Sequence, residues 1–347
     1  MKKAISLLPV GILIFFGAIN TNGQSTQDAY TYLGTIGKEY LSISENYLKY
    51  VSSIAHNSAR KAEKRRTDLL QTIAKSKSKI AGMPCYNNDC ALRDSVISFL
   101  TLNYYVLNND YQKIVNLEEI AEQSYDLMEA YWLAKELAEK KVEEASSRMD
   151  IVQNEFETKN NLEIPEDKSQ LSKKIEQANQ VNSHYRQVYL IFFKSQKQEA
   201  YLLEALERKD LSSAEQNKNA LQQTSIEGIA VLDTLKAFRN DKSIVIACRR
   251  MLEFYKTETE LKIPVIIDYT MKSENFNKMR ESFEAKDPMT RTQAEVDKYN
   301  KAVSEINTLT RTYTSAVNYI NQNRYTCMNG WNTQVGNYLK RYVPKFD

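Results

Sequence analysis

The chain is poor in the residues that interrupt regular structure. Its 347 residues include nine glycines and six prolines, the types that punctuate strands, hairpins and tight loops. So little punctuation excludes a sheet protein of many short strands and implies few, long elements. Histidine is limited to His56 and His184, and tryptophan to Trp132 and Trp331. The chain also lacks a nucleophile motif, a glycine-rich phosphate loop and a zinc-ligand spacing. It therefore offers no catalytic, cofactor-binding or metal-binding residues, and no enzyme activity is expected. An excess of one charge is missing too: 47 basic residues face 44 acidic ones, which argues against nucleic acid or an anionic membrane as a partner.

Only one long apolar run is present. Lys2 and Lys3 precede the stretch Ala4 to Ile19, and Thr21-Asn22-Gly23 offers small residues for cleavage before Gln24. The run is shorter than the roughly 20 residues a spanning helix needs, so residues 1–23 read as a signal peptide. Cleavage would leave Gln24 to Asp347 as one helical domain with no integral membrane span, exported to the periplasm or cell surface. The first cysteine is Cys85, which excludes lipid attachment just after cleavage.

What the mature chain does contain is helical periodicity. Leu33, Tyr40, Tyr47 and Ile54 step by seven, as do Ile36, Ile43 and Tyr50, and the two sets interleave into an a/d seam. Helix formers continue from Ala59 to Lys79 and stop at Ala81-Gly82-Met83-Pro84. A second helix is predicted from Ala91 to about Asn161, broken at Asn108-Asn109-Asp110, with a seam of Ala138, Val142, Ala145, Met149, Val152 and Phe156. Ser212 with Glu215 and Thr292 with Glu295 form capping boxes. Pro264 predicts a kink, and Asp287-Pro288 a turn before a seam of Ala302, Ile306, Leu309, Tyr313, Ala316 and Ile320. The fold class is all-α, an elongated antiparallel bundle of long helices with coiled-coil-like seams. An offset of 150 aligns Leu102 with Leu252, Tyr105 with Tyr255 and Val115 with Val265, but it also sets Pro288 opposite Ala138 in mid-helix, which counts against an internal duplication.

Export places the four cysteines in an oxidising compartment. Cys85 and Cys90 bracket a four-residue loop and predict a local disulfide worth about 2 kcal/mol. Folding the chain at Asp287-Pro288 sets Cys248 and Cys327 equally far from the turn, which predicts a second bridge worth about 4.5 kcal/mol.

The other candidates read as structure. Glu118 with Glu122 and Glu139 with Glu143 share helix faces, but carboxylate-bridged metal bundles need Glu-x-x-His pairs and neither histidine has one. The basic run Arg60, Lys61, Lys64, Arg65, Arg66, Lys75, Lys77 and Lys79 is diluted by Glu63 and Asp68, as a solvated face is. Tyr104-Tyr105 and Tyr185 with Tyr189 fall at helical spacing, pointing to core or boundary packing with the hydroxyl reaching water.

The tract from Ala62-Glu63-Lys64-Arg65-Arg66 to Met83-Pro84, then Arg93-Asp94, Val106 to Tyr111, Glu119 to Asp126 and Met128 to Tyr131, resembles an uncharacterised family of exported surface proteins of Gram-negative bacteria. Trp331-Asn332, Tyr338-Leu339 and Val343-Pro344 resemble that family's C-terminal signature. The resemblance implies an envelope or surface location and brings no activity or catalytic residue. Sequence thus points to a non-enzymatic envelope protein making structural or protein contacts with an envelope partner, with an alternative: a tyrosine-lined interhelical cleft for a small or lipidic ligand.

Overall fold

The computed structural model of the protein describes residues 24–56, 59–110, 125–164 and 170–346. The predicted signal peptide lies outside them. The described residues form nine α-helices: α1 (Gln24–His56), α2 (Ala59–Ala81), α3 (Ala91–Tyr105), α4 (Tyr125–Lys159), α5 (Gln170–Glu207), α6 (Leu211–Thr234), α7 (Ser243–Thr257), α8 (Ile263–Glu284) and α9 (Gln293–Tyr342). A π turn follows α3 at Val106–Asp110, and another joins α7 to α8 at Glu258–Lys262. The all-α expectation holds. The run from Gln27 to Lys79 is two helices, however. Ser76 and Lys79 both donate to the Glu39 carboxylate, at 2.7 and 2.9 Å, so α2 folds back along α1.

Two caps tell different stories. Thr292 and Glu295 form the reciprocal box the sequence predicts, Thr292 N donating to Glu295 Oε2 at 3.0 Å and Glu295 N to Thr292 Oγ1 at 3.3 Å. The Ser212 box does not form. Asp210 caps α6 instead, accepting from Ser213 N at 3.0 Å, because a carboxylate already sits where the first free N–H groups point.

Where composition shows no boundary, the helices gather into two compact units, residues 185–335 and residues up to 184 together with 336–347. The boundary falls inside α5 and α9, so no linker composition could mark it. In the unit containing α1 to α4, the seam positions Leu33, Ile36, Tyr40, Ile43, Tyr47 and Tyr50 are buried with Val142, Ala145, Met149 and Phe156. Its C-terminal residues are tied down: His56 Nε2 lies 2.9 Å from the Val343 carbonyl, and Phe346 N donates to Ser52 Oγ at 2.9 Å.

The units repeat one motif. Buried positions of α1 recur 152 residues later in α5, as Leu33/Tyr185, Ile36/Val188, Tyr40/Phe192, Ile43/Ser195, Tyr47/Glu199 and Tyr50/Leu202. The same step relates Leu69, Ile73 and Ile80 of α2 to Leu221, Ser225 and Leu232 of α6. It relates Leu92, Val96, Phe99, Leu100, Asn103, Val106 and Leu107 to Ile244, Cys248, Met251, Leu252, Tyr255, Glu258 and Thr259. Between these helices both copies make one turn. Tyr86 bridges Asp89 around Asn87 and Asn88 with φ of 50° and 63°, and Phe238 bridges Asp241 around Arg239 and Asn240 with φ of 49° and 64°. Two left-handed residues between bridged partners suit a two-residue hairpin turn. Both aspartates then accept from the backbone two residues on, at 3.0 and 2.7 Å, and the π turns fall at matching places. The sequence offset of 150 was two positions short of the true register.

The copies differ in length after the π turn. Tyr40 Oη donates to Met149 Sδ at 2.8 Å, and in the second copy Phe192 stacks on Trp331 at 4.6 Å. Met149 therefore matches Trp331, a step about thirty residues longer than 152. The extra length is an arm. None of residues 267–315 is buried; α8 and the first half of α9 pair through stacked rings, among them Tyr269 on Tyr313 at 4.3 Å and Phe283 on Tyr299 at 4.2 Å. Pro288 sits at the arm's tip, within the extra length of the second copy, which removes the objection to a repeat.

The arm also corrects two expectations. Pro264 makes no kink within a helix; it lies in the first turn of α8, just after the π turn, where its missing N–H costs least. Cys248 and Cys327 do not pair; both are free. The aromatic pairs set a register in which Cys327 falls about seven residues, or ~10 Å of helix, short of the position opposite Cys248. Cys248 Sγ donates instead to the Val188 carbonyl at 3.8 Å. Cys85 and Cys90 do form the predicted disulfide, with Cα atoms 4.5 Å apart.

Candidate functional site

The unit of residues 185–335 brings together three ionisable side chains from three elements, two buried carboxylates and a half-buried arginine. Arg324 of α9 donates through Nε to Glu199 Oε1 of α5 at 2.5 Å and through Nη2 to Glu258 Oε1 of the π turn at 2.9 Å. Glu199 is 4% exposed and Glu258 fully buried. A π turn inserts one residue into the helical ladder and re-aims what it carries; here it turns Glu258 inward. Burial and the neighbouring Glu199 push the Glu258 carboxyl up to about 8, and burial raises Glu199 as well. Both shifts favour holding a proton on the pair. With one such proton the cluster, Arg324 included, would be charge-neutral.

The first copy shows that the fold does not require this cluster. Glu199 and Glu258 match Tyr47 and Val106, and two turns before Met149 and Trp331 stand Val142 and Arg324. Tyr47, Val106 and Val142 are all buried. Burying two carboxylates against an arginine where uncharged side chains serve the same fold is no route to stability, because desolvation of an ion pair commonly cancels its attraction.

Arg324 opens onto a cleft of about 640 Å³ between the end of α5 and the base of the arm. Leu203, Leu206, Ile263, Ile266, Val317 and Ile320 give it an aliphatic floor. The stacked Tyr269 and Tyr313 form a wall, while Thr270, Ser273, Asn277, Asn321, Glu207, Glu274 and Lys209 supply polar groups. Concave, mixed lining with a few convergent polar groups is the ordinary make-up of a ligand site.

No known protein-family model, curated protein or solved structure matches the chain. The function must be read from the site itself. Among the described residues no group of three His, Cys, Asp or Glu side chains is placed to hold a metal, and no helix is long and apolar enough to cross a membrane.

The residues that sequence singled out lie elsewhere. Tyr185 and Tyr189 are core, their rings 5.7 Å apart. His184 meets the Tyr338 hydroxyl at 3.3 Å. The basic run is partly neutralised within α2, by Glu63 on Arg66 and Asp68 on Arg65. Glu118 and Glu122 lie outside the described residues. Sequence reading passed over Glu199, Glu258 and Arg324 because nothing in their spacing joins them. The one usable signal was comparison at the 152 step, where Glu199 and Glu258 replace uncharged residues.

Proposed function

We propose that the protein is an exported, non-enzymatic binding module of the cell envelope that holds a small or lipidic ligand in the cleft at the base of the arm. The observation that carries this reading is the concave site itself, with Arg324 presented from a charged cluster that the same fold manages without in its other copy. Export is supported by the basic start and apolar run of residues 1–23 and by the Cys85–Cys90 bridge, which suits an oxidising compartment. Native mass spectrometry of the protein purified from producing cells tests the binding. The expected result is a small-molecule adduct in stoichiometric amount, absent from a Ser273→Trp variant that fills the cleft; an adduct-free spectrum for both proteins would count against it. N-terminal sequencing of the exported form, expected to begin at Gln24, tests the export.

A second reading, protein contact, draws on the arm. Its unburied rings and the exposed Met289 at its tip suit a partner surface. Crosslinking from position 289 in intact cells would yield one reproducible envelope partner on that reading.

A further inference from the structure

Resting on the binding-module reading, we infer that the ligand of the cleft is an uncharged, hydroxyl-rich molecule with an apolar face, as a neutral saccharide is. The charges at the site decide against an acid. Arg324 is already faced by Glu199 and Glu258, Glu274 pairs with Lys278 at 2.9 Å, and Lys209 shares the rim with Glu207. No net positive charge remains to hold a carboxylate or phosphate against the cost of desolvating it.

What remains is a mixture of donors and acceptors. A guanidinium has five N–H groups; Arg324 directs three nitrogens at Glu199, Glu258 and Asn321, which leaves two N–H groups undirected. Asn277 and Asn321 carry both amide donors and carbonyl acceptors, and Ser273 and Glu274 accept. A hydroxyl donates once and accepts twice, so it fits beside such neighbours without leaving a buried group unmatched. The tyrosine wall and aliphatic floor cover an apolar face of the same molecule. An acyl chain would instead leave the polar rim desolvated and unpaired, each group losing its water without a replacement.

Titration calorimetry of the Gln24–Asp347 chain with maltotetraose, cellotetraose, chitotetraose and, separately, dodecanoate tests this. At least one tetrasaccharide should bind. Its affinity should fall about tenfold or more in Tyr313→Ala, vanish in Ser273→Trp, and change little between about 0.05 and 0.5 M salt because no ion pair is formed. Circular dichroism of each variant should match the parent. Dodecanoate binding that Ser273→Trp abolishes, with no tetrasaccharide bound, would overturn the saccharide class and leave the cleft as a site. Binding of neither probe, or of a tetrasaccharide indifferent to Ser273→Trp, would overturn both.

Discussion

Removing Arg324 should cost more than removing the whole charged cluster. In Arg324→Met two buried carboxylates lose the cation that faces both. Breaking a buried ion pair from one side typically costs ~3–5 kcal/mol, which for a unit of this size is a fall in Tm of roughly 6–20 °C. Replacing all three groups by apolar ones, Glu199→Leu, Glu258→Val and Arg324→Val, removes the desolvation cost together with the attraction. It should leave the unit as stable as the parent, or more stable by up to ~1–4 kcal/mol. Trp331 stacks on Phe192 in the same core, so its fluorescence in a Trp132→Phe background follows this unit during urea unfolding. A triple variant less stable than Arg324→Met would refute the argument that uncharged side chains suit this place in the fold.

The same cluster sets a pH dependence. The Glu258 carboxyl is raised in the folded protein to about 8, mainly by burial and then by Glu199. The folded state therefore binds its proton more tightly than the unfolded one, so its contribution is fully present at acid pH, below the ordinary carboxylate range. That contribution is lost progressively as pH rises towards and through about 8. Tm should fall between pH 6 and pH 9, and Glu258→Gln, which cannot ionise, should flatten the slope. An unchanged slope in that variant would place the titration elsewhere.

Other perturbations follow from the repeat. Phe238 to Asp241 makes the same turn with Ala237 and Lys242 at the positions of Cys85 and Cys90, so the turn forms without a bridge; Cys85→Ser with Cys90→Ser should cost no more than ~2 kcal/mol, measured by urea titration. Burial raises the Cys248 thiol and, less deeply, that of Cys327. Cys248 should resist maleimide until the protein unfolds, and non-reducing peptide mapping should find no link between the two. A Cβ on Gly228 would meet Leu252 Cδ1 at 2.8 Å and Ile191 Cγ2 at 2.9 Å. Overpacking costs ~1–3 kcal/mol and the helical preference for alanine returns ~1 kcal/mol, so Gly228→Ala should lower stability by about 1 kcal/mol in thermal denaturation.

Helix content was legible because seam residues such as Leu33, Tyr40 and Tyr47 announce burial at a fixed period, whatever they pack against. The reversal between α1 and α2 was not: residues 27 to 79 carry an unbroken helical pattern, and it takes the Glu39 bonds to Ser76 and Lys79 to reveal the fold-back. Register failed for a similar reason. Equal distance from Asp287-Pro288 is a statement about a straight hairpin, and ring stacking at Tyr269/Tyr313 and Phe283/Tyr299 sets a different alignment. The repeat was hidden because helix interiors tolerate wide substitution. Leu69/Leu221, Thr72/Thr224, Asn88/Asn240, Asp89/Asp241 and Leu100/Leu252 are among the few identities at the 152 step, while Tyr40/Phe192 and Phe99/Met251 keep only size and polarity class.

A chain that builds one motif twice contains its own control. Whatever both copies keep, such as the capped turn with two left-handed residues, the π turn and the buried seam, is what the fold requires. Whatever only one copy has must be explained by something other than folding. By that test the disulfide in the first copy is a local staple, since the second copy makes the turn without it. The arm and the Arg324 cluster in the second copy are different in kind: the arm leaves aromatic rings half-exposed, and the cluster buries two carboxylates. The two fall on opposite sides of one cleft. A ligand that spans Tyr313 and Arg324, as proposed for the cleft, would use both features at once.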